Sequence, residues 1–185
     1  MTAPLPPRPG PHAFAARLAE ILRVDQAGEV GAVHIYRGQR AVMEAGGREE
    51  IAARLGRMEA HEAAHLARFD LMLAEAHARP TLMAPLWRAA GFALGVGTAL
   101  LGERAAHACT EAVETVIEAH YAGQIAEIGE AEPALAAELS QFRDEELAHL
   151  GAAVAEGAHR APAYPLLSAV IRAGCRAAIR IAERV

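Results

Sequence analysis

Apolar residues recur every three or four positions through most of this chain, and that spacing puts them on one face of a helix. Glycine and proline interrupt the pattern, notably at Gly46-Gly47, Pro80 and Pro133. The pattern predicts helices over about 14–43, 48–78, 82–102 and 103–129, a fifth that follows Pro133 and a sixth that ends at Val185. We therefore expect an all-α fold.

The apolar stripe of the second predicted helix carries a carboxylate and an imidazole at its centre. Glu62 and His65 stand among the apolar residues of that face, and Glu146 and His149 hold the same positions in the fifth helix. Residues three apart on a helix lie about 5–6 Å from each other, so each Glu-x-x-His pair can reach one metal ion. A buried carboxylate without a metal, a salt bridge or a proton would be costly.

A lone glutamate precedes each of these pairs by a nearly constant interval. Glu29 lies 33 residues before Glu62, and Glu114 lies 32 residues before Glu146. In both halves a tyrosine follows the lone glutamate by seven residues, two helical turns further along the same face. The chain is therefore interpreted as a duplicated helix pair.

The repeated order predicts a ferritin-like four-helix bundle with a metal centre between its helices. Two lone glutamates and two Glu-x-x-His pairs are the ligand set of di-iron and di-manganese carboxylate bundles. Carboxylate and imidazole donors favour these metals over copper or a thiolate zinc site. The predicted ligands are Glu29, Glu62, His65, Glu114, Glu146 and His149, with Glu62 and Glu146 as the bridging carboxylates.

Two aspartates are candidates to support the ligating histidines, which usually donate their second N–H to a carboxylate or carbonyl. Asp25 lies one turn before Glu29 on the same face, and Asp144 is the corresponding candidate near the second Glu-x-x-His pair. The alternative for both is an ion pair at the protein surface.

One motif suggests a different metal. The segment His61-Glu62-Ala63-Ala64-His65 matches the H-E-x-x-H signature of zinc metalloproteases, in which both histidines bind zinc. The duplicated segment argues against this interpretation, because Glu145 stands where the first histidine would be needed. We therefore interpret His61 as a neighbour of the site and not as a ligand.

The composition of the chain restricts its possible partners and indicates where the folded domain begins. A net charge of −5 argues against nucleic acid, since phosphate binding needs a basic surface. Cys109 and Cys175 lack metal-ligand spacing and are expected to be reduced thiols. Residues 1–12 contain five prolines and are predicted to be a disordered lead-in without a secretory signal, which leaves 13–185 as the functional domain.

Two predicted helices lie outside the bundle. Residues 82–102 are the most apolar stretch, but their uncharged part is shorter than the ~20 residues that span a bilayer, so we expect a buried or interfacial crossover helix. Gly91 and Gly95 have a small-x-x-x-small spacing, a weak indication of packing in a membrane. The last helix is basic and amphipathic, which favours an anionic membrane surface or, alternatively, a solvated helix end. Its arginines stand four apart, at Arg172, Arg176, Arg180 and Arg184.

Several specific sequence blocks run through the chain. They include Arg23-Val24-Asp25-Gln26-Ala27-Gly28-Glu29, Ile35-Tyr36-Arg37-Gly38-Gln39, Pro85-Leu86-Trp87, Phe142-Arg143-Asp144-Glu145-Glu146-Leu147 and the segments 79–81, 91–95, 97–102, 108–110, 112–114, 161–164 and 173–176. With these blocks the chain resembles the demethoxyubiquinone hydroxylases of ubiquinone biosynthesis. The resemblance covers nearly everything after the proline-rich start.

The resemblance implies a di-iron monooxygenase that uses O₂ to hydroxylate the ring of a polyprenyl demethoxybenzoquinol. This reaction converts demethoxyubiquinol to demethylubiquinol, the penultimate stage of ubiquinone biosynthesis, with electrons from NADH or from the quinol itself. The six predicted ligands match the ligand positions of the family, and the family's substrate-associated pair matches His120 and Tyr121. Thr115 departs from the family pattern, in which an acidic residue is expected after Glu114.

The same resemblance implies partners and a location. A peripheral membrane protein on the cytoplasmic face of a bacterial inner membrane would meet its polyprenyl quinol there. A lipid-binding accessory protein and further copies of the chain are additional candidate partners. The main alternative function on this fold is iron oxidation and storage, and a zinc metalloprotease is the less favoured one.

Overall fold

The computed structural model describes residues 11–184, and this part of the chain is helical without any β-strand. The helices are α1 (Pro11–Ala45), α2 (Glu49–Glu75), α3 (Ala84–Leu100), α4 (Glu103–Ile128), α5 (Pro133–Ala155) and α6 (Tyr164–Ala182), with a 3-10 turn at Ala158–Arg160. The predicted all-α, ferritin-like bundle is therefore confirmed. Residues 1–10 of the predicted lead-in lie outside the described residues, whereas Pro11 and His12 belong to α1.

Local chemistry explains where the helices begin and end. Gly47 lies in the turn between α1 and α2 and has φ +68°, a conformation that glycine adopts without a steric penalty. α2 stops at Glu75, earlier than predicted, and the turn that follows contains His77 at φ 50°. Proline stands in the first turn of both α3 and α5, where its missing N–H costs no helical hydrogen bond.

The bundle consists of α1 packed on α2 and α4 packed on α5. Apolar side chains from all four helices close one end, among them Ile21, Phe69, Ile128 and Leu139. A second cluster that includes Met43 closes the other end of the bundle. The faces that carry the predicted metal ligands meet between these two apolar clusters.

Helix α3 crosses α1 at very short range, and two glycines make this possible. A Cβ atom added to Gly91 would lie 2.6 Å from the backbone oxygen of Gly31, and Gly95 approaches the backbone of Ile35 just as closely. The small-x-x-x-small pair therefore serves the packing of α3 on α1 inside the protein, as expected of a crossover helix. No helix within residues 11–184 has the length and apolar content required to cross a bilayer.

Helix α6 lies against α4 through a buried polar contact. The Glu111 carboxylate, on α4, accepts hydrogen bonds from the guanidinium of Arg172 and from the hydroxyl of Tyr164, the latter at 3.1 Å. The half-buried Arg172 is thus paired with a buried carboxylate, contrary to the prediction that all four arginines form one basic face. Arg176, Arg180 and Arg184 remain exposed.

Candidate metal centre

The six residues predicted as metal ligands converge in the middle of the bundle, and all six are buried. They form two groups in which one ligand atom from each residue lies within 4.8 Å of the others. One group is Glu29, Glu62, His65 and Glu146, and the other is Glu62, Glu114, Glu146 and His149. Glu62 and Glu146 belong to both groups, as expected of carboxylates that bridge two ions.

Every one of these six residues has at least one buried polar atom without a hydrogen-bond partner. These atoms are Glu29 Oε2, Glu62 Oε1, His65 Nδ1, Glu114 Oε2, both carboxylate oxygens of Glu146 and His149 Nδ1. Two pairs among them are close, His149 Nδ1 with Glu62 Oε1 at 3.0 Å and His65 Nδ1 with Glu146 Oε1 at 3.2 Å, but neither pair has the geometry of a hydrogen bond. Unsatisfied buried polar atoms are rare in native proteins and call for a missing partner. Bound cations would satisfy all of them, so this donor set fits a dinuclear metal centre.

Burial shifts the pKa values of the cluster strongly. It raises the pKa of Glu29 to about 8, and with the repulsion of neighbouring carboxylates it raises the pKa values of Glu62 and Glu114 well above the ordinary range. Burial acts the same way on Glu146, but the adjacent imidazoles of His149 and His65 outweigh it and lower its pKa to about 2. Four carboxylates at this spacing cannot all ionise without positive charge between them.

The two tyrosines that follow the lone glutamates connect the two halves of the duplication. The Tyr36 hydroxyl donates a hydrogen bond to Glu114 at 2.8 Å, and the Tyr121 hydroxyl donates one to Glu29 at 2.7 Å. Each tyrosine thus holds the lone glutamate of the other half. Burial raises the pKa of both phenols well above its usual value, so both remain protonated donors.

Asp25 does not support a ligating histidine as predicted. Its Oδ1 accepts a hydrogen bond from Gln124 Nε2 at 2.7 Å and lies 3.5 Å from Nε2 of the half-buried His120. Desolvation by burial raises the pKa of this carboxyl. His120 therefore belongs to a polar cluster beside Tyr121 and outside the two ligand groups, and its catalytic role stays a prediction.

The carboxylate that does contact a histidine of the cluster is Glu145, which was not predicted. Its Oε2 lies 2.6 Å from His65 Nε2, whereas Asp144 is exposed. Glu145 directly precedes Glu146 of the cluster and faces α2, and this orientation is visible only from the side-chain contacts between α5 and α2.

His61 lies beside the site without joining either ligand group. Its exposed ring stacks on that of His149, with ring centroids 5.6 Å apart. Both potential metal groups at the centre of the bundle take their histidine from a Glu-x-x-His pair. This geometry does not support the single-zinc interpretation of the H-E-x-x-H match.

A partly open apolar cavity with a volume of about 240 Å³ lies between α1, α3, α4 and α6, beside the cluster. Its walls include the Trp87 indole and the Ile117 and Ile179 side chains. Gly28 and Val113 also line it, and they directly precede Glu29 and Glu114. The helices that carry the two lone glutamates therefore separate this cavity from the buried carboxylates.

The fold and the site define a class of protein. It is a ferritin-like helical bundle with a buried cluster of glutamate and histidine able to bind metal ions, next to an apolar cavity. This class contains both oxygen-using enzymes and iron-storage proteins, which the fold alone does not distinguish.

Comparisons with known proteins identify the family. Residues 16–182 match the family described as ubiquinone biosynthesis protein COQ7. The chain is 52% identical over 177 residues to a 3-demethoxyubiquinol 3-hydroxylase of Rhodospirillum rubrum, covering 96% of this chain and 82% of that protein. It is also 45% identical over 174 residues to the human mitochondrial NADPH-dependent 3-demethoxyubiquinone 3-hydroxylase, covering 92% and 79% of the two chains. The chain belongs to the COQ7 family, which confirms the predicted resemblance.

Proposed function

We propose that this protein is a di-iron monooxygenase that hydroxylates the ring of a polyprenyl demethoxybenzoquinol in ubiquinone biosynthesis. One observation supports the proposal most strongly: a buried cluster of four carboxylates and two imidazoles lies next to an apolar cavity. Each of these six residues has a buried polar atom without a hydrogen-bond partner. A storage protein has no evident use for such a cavity. The names of the bacterial and human relatives support the same reaction.

The proposed iron ligands are the six clustered residues. Glu29 and His65 would serve one ion and Glu114 and His149 the other, with Glu62 and Glu146 shared between them. Two bound iron ions would supply the redox chemistry that activates dioxygen. The protein contributes the fixed arrangement of donors, which the apolar clusters at both ends of the bundle keep in place.

The tyrosines position the two lone carboxylates. With one oxygen of Glu29 held by Tyr121, and one of Glu114 by Tyr36, the second oxygen of each is left for an ion. We propose Tyr121 and His120 as the catalytic pair. Tyr121→Phe should keep both ions but slow hydroxylation, whereas unchanged turnover would remove Tyr121 from that pair.

The cavity is the proposed site of the quinol ring and its first prenyl units. Its walls are almost entirely apolar, so they would favour an isoprenoid and exclude water. Its lining residues Gly28 and Val113 bring a bound ring next to the helices that carry the lone glutamates.

The outer face formed by α3 and α6, with the flanking Leu82, Leu100 and Leu101, is the proposed membrane-binding surface. Leu100 is 72% exposed, Leu166 68% and Val170 61%. The exposed arginines of α6 would add attraction to anionic lipid headgroups, about 1 kcal/mol for each. In a bacterium this surface would lie on the cytoplasmic face of the inner membrane. There the protein would meet its quinol and any lipid-binding accessory protein or second copy, and NADH or the quinol would supply the electrons.

A single-turnover reaction tests the proposed function. Iron-loaded, chemically reduced protein is mixed with a short-chain demethoxyubiquinol and ¹⁸O₂, and the quinone is analysed by mass spectrometry. We expect one ¹⁸O atom in a new ring hydroxyl. Glu114→Gln should abolish the product, and Glu118→Gln, one turn further along α4, should not. Oxidation of the iron without a hydroxylated ring in the parent protein would contradict the proposal.

A further inference from the structure

The two Glu-x-x-His pairs are alike on the side that faces the cluster. His65 Nδ1 lies 3.2 Å from Glu146 Oε1, and His149 Nδ1 lies 3.0 Å from Glu62 Oε1. The tyrosine hydrogen bonds to the two lone glutamates are also matched, at 2.7 and 2.8 Å. The shortest inner contacts are therefore matched. The longer ones differ in one respect, because His65 Nδ1 also lies 3.8 Å from Glu29 Oε2, whereas no contact within ion-pair distance joins His149 to Glu114 in residues 11–184.

The outer sides of the two histidines differ. His65 Nε2 lies 2.6 Å from Glu145 Oε2, and the other oxygen of Glu145 accepts a hydrogen bond from Gln141 Nε2 at 3.1 Å. For His149, the carboxylates within ion-pair distance among residues 11–184 are Glu62 and Glu146, and both face Nδ1.

The duplication explains the missing partner. Since Glu62 corresponds to Glu146, the residue before it, His61, corresponds to Glu145. In the first half, the His61 imidazole stacks on His149. At the corresponding position of the second half, the Glu145 carboxylate accepts a hydrogen bond from His65. In one half of the molecule a carboxylate contacts the outer nitrogen of the histidine, and in the other half an imidazole stacks on the histidine ring.

A carboxylate on the outer nitrogen fixes the tautomer and the orientation of a ligating histidine and makes its inner nitrogen a better donor. Loss of such a partner typically lowers metal affinity by about 10–100-fold. We propose that the two ions are held unequally, with the ion at Glu29, Glu62, His65 and Glu146 bound about 10–100-fold more tightly than the ion on the His149 side. Glu145 is then a positioning residue that acts through His65. This inference rests on the proposed dinuclear centre.

Titration of the metal-free protein with Mn²⁺, followed by calorimetry and electron paramagnetic resonance, tests the inequality. The first equivalent should give the six-line signal of isolated Mn²⁺, and the second should replace it with the broadened signal of a coupled pair. Two ions that bind together from the first addition, with equal affinity, would overturn the inference. Failure to bind Mn²⁺ at all would instead overturn the dinuclear centre itself.

Three variants test whether the outer carboxylate causes the difference in affinity between the two ions. Glu145→Gln removes the charge of a partly exposed side chain and should weaken the first binding step by about 10–100-fold, so that the two steps merge. His61→Glu supplies the missing carboxylate and should strengthen the second step. Asp144→Asn, at the exposed neighbouring position, is the matched control and should change neither step. An unchanged first step in Glu145→Gln, or an unchanged second step in His61→Glu, would contradict the role of the outer carboxylate.

Discussion

The interior of the four-helix bundle and the outer face formed by α3 and α6 have reversed polarities. The interior buries four glutamates and two histidines with unsatisfied polar atoms, whereas the outer face exposes leucine, valine and isoleucine. An isolated protein in water would be more stable with the opposite distribution, because buried charges and exposed apolar side chains both cost free energy.

This difference indicates that each region has side chains whose favourable partners are not part of the chain. The unpaired polar atoms of the buried carboxylates fit bound cations, and the exposed apolar side chains fit the proposed membrane surface. The cavity lies between the two regions, with α3 and α6 on one side and the helices of the lone glutamates on the other. This order suits a reaction that brings an apolar molecule from outside to a metal centre inside.

The largest expected effect comes from removing a carboxylate shared by both ligand groups. Glu62→Gln should reduce bound iron from two ions per chain to one or fewer. The metal-free variant should also be more stable than the metal-free parent by about 1–3 kcal/mol at neutral pH, because a buried amide neither carries a charge nor has to take up a proton on folding. Metal analysis and chemical denaturation measure the two effects.

Glu59→Gln is the control for this substitution. Glu59 lies about one turn before Glu62 on α2 and pairs with Arg37 and Arg40 outside the cluster. The substitution Glu59→Gln should therefore leave the amount of bound iron unchanged. Two ions bound at full occupancy by Glu62→Gln would refute the ligand assignment.

The interior should also give the metal-free protein an unusual dependence on pH. The pKa of Glu29 in the folded protein is about 8, against an ordinary 4.5. Burial and the neighbouring carboxylates also raise the pKa values of Glu62 and Glu114. The folded state then binds more protons than the unfolded state between about pH 4.5 and 8, so stability falls as pH rises through that window.

Thermal unfolding at pH 5 and pH 8 measures this effect. The metal-free protein should lose stability on the order of a few kcal/mol between the two values, since each unit of pKa shift corresponds to about 1.4 kcal/mol. Added Fe²⁺ should reverse the trend, because metal binding requires ionised carboxylates. A metal-free protein that is more stable at pH 8 would show that the carboxylates are not desolvated as described.

A steric prediction concerns the attachment of the outer face to the bundle. Gly91→Ala places a methyl group against the backbone of α1, and we expect a loss of about 1–3 kcal/mol from overpacking. Gly97→Ala on the same helix meets nothing within 4 Å and should stabilise the protein by up to about 1 kcal/mol through helix propensity. Equal effects of the two substitutions on denaturation would exclude the close α1–α3 crossing.

The smallest expected effect on the folded protein comes from the exposed leucines. Leu166→Glu on α6 should change the free energy of unfolding by no more than about 0.5 kcal/mol, as is usual for surface positions. It should nevertheless weaken binding to anionic vesicles by about tenfold, which corresponds to the transfer of one leucine side chain. Leu71→Glu on α2, 58% exposed in the parent, is the control outside the proposed membrane surface. Equal vesicle binding by both variants would argue against that surface.

The sequence predicts the bundle and the six clustered residues well, because helix periodicity and duplication are local signals. Glu62 and His65 are visible as polar residues on an apolar stripe, and the repeat at Glu146 and His149 removes most of the ambiguity. The contacts between helices are not visible in this way. Nothing in the local sequence shows that Tyr36 reaches the glutamate of the other half.

Errors in the sequence analysis have the same origin. Asp25 was expected beside a ligating histidine but faces Gln124, and Arg172 was expected on the outer surface but pairs with Glu111. Both residues stand on the predicted helices. Their partners are set by how α1, α4 and α6 are rotated and spaced, which depends on close approaches such as that of Gly91 to α1.

Iron analysis of the reconstituted protein, combined with Mössbauer spectroscopy, tests the central claim most directly. Metal-free protein is loaded with ⁵⁷Fe²⁺ under anaerobic conditions, freed of excess iron and then oxidised with O₂. The account predicts two iron ions per chain that form a spin-coupled pair after oxidation. One iron per chain, or two uncoupled ferric ions, would contradict the assignment of the buried glutamates and histidines to a single dinuclear centre.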